Sequence, residues 1–197
     1  MHGDMTYGDA GPLATNESRA AFVMDEDTFR SFYDRTARSV WGYLARVTGD
    51  RQLADDLLQE AFYRFLRADA AHDNEVHRRN SLYRIATNLA RDARRRNLLR
   101  LPALVTGSDI ERVPGADHAG ATERQADVSR AMARLKPRER AMLWLAYAEG
   151  ASHREIAGVM GVSETSMKSL LFRARRSMAA LLTAGEKLTA GRKEGGQ

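Results

Sequence analysis

Between Ser152 and Met178 the chain reads SHREIAGVMGVSETSMKSLLFRARRSM, a spacing that predicts two short helices crossing at a tight turn. Ile156, Ala157 and Met160 share one helical face, and Ala157 is small enough for a second helix to cross closely over it. Gly161 predicts the turn, because glycine accepts the left-handed backbone that ends a helix; Val162 then plugs the space beneath it and Ser163 suits the N-cap of the next helix. Met167, Leu170, Leu171 and Ala174 continue the buried face. Left outward are Glu164, Thr165, Ser166, Lys168, Ser169, Phe172, Arg173 and Arg176, a set of donors, acceptors and cations suited to base edges and phosphates. The pattern is that of a helix-turn-helix for duplex DNA. Ordinary helical hairpins share the same Ala, Gly and Met spacing, so the rest of the chain must carry part of the argument.

Charge distribution narrows the class of partner. The net charge is +5 and the isoelectric point about 9.8. Met1 to Asp27 holds six acids against one arginine, whereas Arg78 to Arg100 holds eight arginines against Asp92 alone. Such a run is a solvated helix face in many proteins, but arginines at this density repel one another unless a polyanion is present, and nucleic acid is the economical candidate. The chain has no cysteine, which excludes disulfides and thiolate metal sites. Its histidines, His2, His72, His77, His118 and His153, are scattered without ligand spacing, so neither a metal nor another cofactor is expected. No apolar run reaches the ~18 residues needed to span a bilayer, and the polar N-terminus lacks the apolar stretch of a signal peptide. A cytoplasmic location is the expectation.

Hydrophobic periodicity predicts an all-α chain of two small helical domains joined by a flexible linker. Residues 1–24 are rich in Gly, Asp and Ala, lack periodicity, and are expected to be disordered. A first domain, 25–100, contains a helix through Phe29, Phe32, Tyr33, Val40, Trp41 and Leu44 that Gly49 ends. A second helix from about Asp50 to Ala68 has Leu53, Leu57, Ala61, Phe62, Phe65 and Leu66 inward. The polar segment Asp69 to Arg79 reads as an exposed loop. A third helix from near Asn80 to Arg96 buries Leu82, Ile85, Ala86, Leu89 and Ala93, with Tyr83, Arg84, Asn88, Arg91, Arg94 and Arg95 on its other faces. Residues 101–121 gather Pro102, Gly107, Pro114, Gly115 and Gly120 and predict the linker. The second domain, 122–183, opens with a helix through Val128, Met132 and Leu135, turns at Lys136 and Pro137, continues through Met142, Leu143 and Leu145 to Gly150, and ends with the helix-turn-helix. Residues 184–197 are expected to form a disordered tail.

Two separated segments resemble one family. DRQLADDLLQEAF, from Asp50 to Phe62, resembles the core-binding segment of region 2 in bacterial sigma factors of the sigma-70 family, and SLYRIATNLARDARRR, from Ser81 to Arg96, resembles the promoter-opening part that follows it. LKPRERAMLWLAYAEGASHREIAGVMGVS, from Leu135 to Ser163, is similar to region 4. Only regions 2 and 4 on a short linker is the arrangement of the extracytoplasmic-function (ECF, group IV) subfamily. Two positions depart from the pattern: Ser81 stands where the family usually has tryptophan, and Leu170 where many members have arginine.

That resemblance implies a protein that catalyses no reaction, lends sequence recognition to core RNA polymerase and stabilises opened promoter DNA. It implies that Asp55, Asp56, Gln59 and Glu60 dock on the clamp coiled coil of the largest polymerase subunit, and that the second domain meets the flap of the second subunit. Exposed acids are more often simply solubilising. The loop 69–79 and the start of the third helix become the reader of the minus-ten element, where an unstacked base needs hydrogen-bonding edges and a ring face. Asn74, Asn80 and Tyr83 fit that task, Tyr83 being equally suited to the core, while Asn88, Arg84, Arg91, Arg94 and Arg95 would follow the strand. Glu164, Thr165, Ser166, Lys168 and Ser169 would read the minus-thirty-five element, with Arg173 and Arg176 on phosphates. Two rivals stay open at this point. One is a stand-alone regulator that binds duplex DNA without polymerase, and the other an enzyme, for which no nucleophile with base or phosphate loop stands out. The family also leaves room for an anti-sigma protein.

Overall fold

The computed structural model describes residues 24–68, 74–100 and 123–194, with only the backbone of 100, 123 and 186–194. These form seven helices and no strand: α1 Glu26–Thr48, α2 Arg51–Arg67, α3 Glu75–Arg100, α4 Glu123–Arg134, α5 Pro137–Tyr147, α6 His153–Met160 and α7 Glu164–Glu194. The expected linker, the N-terminal extension short of Met24 and residues 69–73 lie outside the described residues.

Local capping chemistry sets the boundaries. Asp25 caps α1 by accepting from the Thr28 N–H at 2.8 Å, and Gly49 ends that helix with φ 77°. Asp50 caps α2 through the Leu53 N–H at 3.0 Å, so one turn both stops and restarts the chain. Asn74 accepts from the His77 N–H at 2.9 Å. That cap corrects two expectations: α3 starts at Glu75, not near Asn80, and the second half of the expected loop is helix. Helix α7 likewise runs on to Glu194, so the tail expected from residue 184 is helical that far.

Helices α1, α2 and α3 pack into a three-helix unit around Phe32, Val40, Tyr43, Leu44, Leu57, Phe62, Phe65, Leu82, Tyr83 and Leu89. Phe32 stacks on Phe65 at 5.2 Å and meets Phe62 edge-on at 6.4 Å. The buried Tyr43 hydroxyl lies 2.6 Å from Thr87 Oγ1, which bonds the Tyr83 carbonyl at 2.7 Å, and burial pushes the Tyr43 pKa up to about 12. Leu66, expected inward, is half exposed, because its position is about a third of a turn round α2 from Ala54.

In the second unit α7 packs against α4, α5 and α6, and α5 also lies against α6. Met132, Leu135, Met142, Leu145, Ile156, Met160, Met167 and Leu171 fill its core. The Gly161 turn is as expected: φ is 65°, Val162 N–H bonds the Ala157 carbonyl at 3.0 Å, and Val162 is partly buried against the core. The two units also touch, α1 against α5 and α3 against α6, and their buried side chains form one continuous cluster.

Phe32→Ala removes a fully buried ring with two aromatic partners and is expected to cost about 3 to 5 kcal/mol in urea unfolding. Leu98→Ala, at an exposed position of α3, is expected to change stability by less than ~0.5 kcal/mol.

Candidate nucleic-acid and polymerase interfaces

The segment with the strongest sequence signal, the N-terminal half of α7, presents its polar side chains to solvent. Glu164, Thr165, Ser166, Lys168, Ser169, Arg173 and Arg176 are all exposed, while Met167, Leu171 and Ala174 are buried beneath them. Ser163 Oγ lies 2.7 Å from Ser166 Oγ and accepts from Thr165 Oγ1 at 3.2 Å; Ser169 Oγ donates to the Ser166 carbonyl at 2.9 Å. The hydroxyls at the start of the helix are thus pre-ordered by one another. Phe172 stands among these polar groups, 57% exposed.

Helix α6, which supports α7, is fixed by reciprocal capping. Glu155 N–H donates to Ser152 Oγ at 3.3 Å, and Ser152 N–H donates to Glu155 Oε2 at 2.7 Å. The hydrogen bonds from Ser152, side chain first and then backbone, hold the Glu155 carboxyl below the ordinary glutamate value of 4.5 against the opposing effect of burial.

On α3 the helical period places Asn80, Arg84, Asn88, Arg91 and Arg95 along one stripe, with Arg94 at its edge. Arg84, Asn88, Arg94 and Arg95 are exposed, and Arg95 pairs with Asp92 at 3.4 Å. Asn74 is exposed, with its side-chain oxygen committed to the helix cap. Tyr83 departs from the outward placement given to it by the sequence: it is 2% exposed and meets Tyr43 edge-on at 5.3 Å. The departure has a packing cause, since Tyr83 lies a single turn from Thr87 and next to Leu82 on the face that α1 covers. Burial first, then the Glu149 carboxylate, raises its pKa, yet the hydroxyl makes no hydrogen bond of good geometry. Ser81 is buried beside it.

On α2, Asp55, Asp56 and Gln59 are exposed and Glu60 is half-buried. Asp55 Oδ1 accepts from Trp41 Nε1 at 2.7 Å, and Glu60 pairs with Arg64 at 2.6 Å. Asp56 and Gln59 complete this acidic face.

Arg46, Arg140, Trp144, Glu149 and Glu155 were not singled out by sequence reasoning. Arg140, 9% exposed, donates to the Arg46 carbonyl at 2.5 Å and to the Ala133 and Leu135 carbonyls at 2.7 and 2.9 Å. Burial, then Arg46 and Arg94, lowers its pKa. The Arg46 guanidinium sits 5.6 Å from the Trp144 ring centroid, and Trp144 Nε1 donates to Glu149 at 3.2 Å. Asn80 Nδ2 donates to Glu155 Oε1 at 3.1 Å and Arg91 to the Met160 carbonyl at 3.4 Å. The Arg140–Arg46, Arg46–Trp144, Asn80–Glu155 and Arg91–Met160 partners are far apart in sequence, and no local spacing marks them.

Residues 32–98 match the model of sigma-70 region 2, and residues 125–178 that of sigma-70 region 4. The chain is 30% identical over 157 residues to the ECF RNA polymerase sigma factor SigL of Mycobacterium tuberculosis, covering 78% of this chain and 88% of that protein. It belongs to the ECF sigma factors. It is also 30% identical over 163 residues to the ECF sigma factor BldN of Streptomyces coelicolor, covering 80% of this chain but spanning 61% of that relative's length. Among solved structures, CnrH in complex with the cytosolic domain of CnrY aligns with a TM-score of 0.58 at 22% identity, covering 85% of this chain and 94% of that one. The sigma factor RpoE of Bartonella quintana, in complex with the anti-sigma factor NepR, aligns with a TM-score of 0.59 at 18% identity, covering 79% and 96%. At those identities the two structures establish a shared fold. The region 2 match takes in α1 from Phe32, all of α2 and α3 as far as Leu98, and the region 4 match takes in α4 from Gln125, all of α5 and α6 and α7 as far as Met178. No described helix is long and apolar enough to cross a membrane.

The Glu155 cap sets a pH dependence with a definite sign. A carboxyl whose folded pKa is depressed contributes stability above its unfolded value, and that contribution is lost as pH falls through the folded one. The stability difference between the parent and Glu155→Ala, measured by urea unfolding, is therefore expected to hold from pH 7 to pH 5 and to shrink as the pH is taken below the ordinary glutamate value. A difference independent of pH would remove the carboxylate from the cap.

Proposed function

We propose that this chain binds core RNA polymerase and directs promoter-specific initiation, reading a minus-thirty-five element with α7 and a minus-ten element with α3, and stabilising the opened strands. One observation carries the reading. Matches to regions 2 and 4 fall in the family's order on two helical units, each with an exposed cationic or polar face suited to nucleic acid. Sigma factors as a class are not catalysts, so the bond-making belongs to the polymerase and this chain is not an enzyme. Its place of action is the cytoplasm, with the polymerase. The sigma factor RpoE of this fold has been solved with the anti-sigma factor NepR, and CnrH with the cytosolic domain of CnrY, which supports a protein partner of that kind here.

The division of labour follows from side-chain chemistry. Arg84, Arg91, Arg94 and Arg95 neutralise the strand backbone without reading sequence, and Asn74, Asn80 and Asn88 offer amide edges to unstacked bases. Tyr83 needs a rearrangement of its surroundings before it could stack on a base. On α7, Glu164, Thr165, Ser166, Lys168 and Ser169 occupy the end that enters the major groove, and Arg173 and Arg176 lie where phosphates pass. Asp55, Asp56, Gln59 and Glu60 form the face for the clamp coiled coil, and Asp55 is held in position by Trp41. Region 4 meets the flap.

Purified core polymerase with this chain is expected to initiate at a subset of a promoter library, and the chain alone to bind promoter duplex weakly. Tight, specific duplex binding without polymerase would favour a stand-alone regulator. Lys168→Ala is expected to change the upstream sequence preferred in selection from randomised elements, at a discrimination cost of about 1 to 3 kcal/mol, whereas Arg176→Ala weakens all promoters together.

Charge reversal at Asp56 and Glu60 is expected to weaken pull-down of core polymerase with the circular dichroism unchanged. The Glu60 to Arg64 pair lost in that variant is partly exposed and is worth only about 0.3 to 0.5 kcal/mol. Undiminished pull-down would place the polymerase contact elsewhere.

A further inference from the structure

The sequence of α2 offers two pairings of an arginine with an acid four positions away, Arg51 with Asp55 and Glu60 with Arg64. The second is made, with Arg64 Nε 2.6 Å from Glu60 Oε1. The first is not. Arg51 lies instead over the Trp41 ring, 5.7 Å from its centroid, and Asp55 Oδ1 accepts from Trp41 Nε1 at 2.7 Å. One side chain of α1 thus engages both members of the missing pair, the cation through its ring face and the carboxylate through its N–H. An arginine that precedes its acid is the weaker order for a helical pair, so the indole displaces only a modest competitor.

The two ends of the indole contact differ in how firmly they are held. Trp41 is half buried and packs against the core, and Val40 and Leu44 on the same helix are fully buried. Asp55 is exposed. The turn at Gly49 and Asp50 brings α1 back alongside the start of α2, and so carries an anchored donor to an acid 14 positions further on. Trp41 therefore fixes the direction of a charge that faces solvent, and keeps from it the arginine on its own helix best placed to neutralise it. With Asp56 and Gln59 exposed beside it, Asp55 is left for a partner surface of cations and hydrogen-bond donors. Ordering a free side chain weakens association, and a side chain already held avoids that loss.

We infer that Trp41 is a positioning residue for the polymerase contact: its N–H aims Asp55, and its ring holds Arg51 off that carboxylate, so the free chain presents a pre-ordered acid without a cation on it. The inference rests on the assignment of Asp55 to the core polymerase face made above. Trp41 acts through Asp55 and Arg51 and is not itself placed in the contact.

Trp41→Phe keeps a ring beneath Arg51 and removes the donor to Asp55. The affinity of the full chain for core polymerase, read by competition against the labelled parent, is expected to fall by about two- to tenfold, the effect of leaving one interface side chain to be ordered on binding. Far-UV circular dichroism is expected to stay unchanged. In an Asp55→Ala background, itself weaker in binding, Trp41→Phe is expected to bring no further loss, because no carboxylate is left to aim. Trp41→Leu fills the site without an aromatic face and is expected to bind more weakly than Trp41→Phe, since Arg51 is then free to pair with Asp55. Adding Arg51→Ala to Trp41→Leu is expected to restore the affinity of Trp41→Phe, a rescue that a merely structural role for the indole does not produce. Unchanged affinity in Trp41→Phe, an equal loss with and without Asp55, or a Trp41→Leu variant that Arg51→Ala does not improve overturns the positioning role. If Asp55→Ala alone leaves core binding intact, the assignment of Asp55 to that face fails and the positioning role falls with it, the fault then lying in the face and not in the indole.

Discussion

Burying a guanidinium costs several kcal/mol unless its N–H groups find acceptors, and Arg140 is buried because three carbonyls accept from it. Two of those carbonyls, on Ala133 and Leu135, close the end of α4, so the turn between α4 and α5 is stabilised from within the second unit. The third belongs to Arg46, near the end of α1, and carries the bond across to the first unit. One side chain thus fixes a turn and sets where the units meet. Its Nε finds no acceptor, and the neighbouring Arg46 and Arg94 carry the same charge, which limits how strongly the joint can hold.

Around that joint, the surfaces sort by what water and partners can reach. Three-helix packing consumes one face of each of α1, α2 and α3, and leaves the Asp55 to Glu60 face and much of the arginine stripe outside. In the second unit, α5 is surrounded and α7 keeps one polar flank. The same Glu155 carboxylate caps α6 and bonds Asn80, so the support of the helix-turn-helix and the covering of α3 share a residue. A group with two such duties couples local helix stability to the contact between the two units.

Most of the helices, the Gly49 and Gly161 turns and the exposed flank of α7 were legible in the sequence, because each depends on residues within one or two turns of one another. The acidic face of α2 was legible for the same reason. The start of α3 was not, since the polar composition of residues 69–79 outweighed the single Asn74 cap that begins the helix five residues earlier than Asn80. Tyr83 was ambiguous because an aromatic ring suits both a base and a core, and its own helix gives no answer.

The amino-acid order by itself determined the all-helical character, the division into region 2-like and region 4-like segments and the family, because periodicity, caps and motifs are properties of neighbours in the chain. Tertiary structure alone decided that Tyr83 is buried on Tyr43, that Asn80 is spoken for by Glu155 and that Arg140 reaches Arg46. Those contacts join residues separated by 40, 75 and 94 positions, and a pairing at such distance is chosen by the packing of whole helices, not by any spacing that a local pattern can carry.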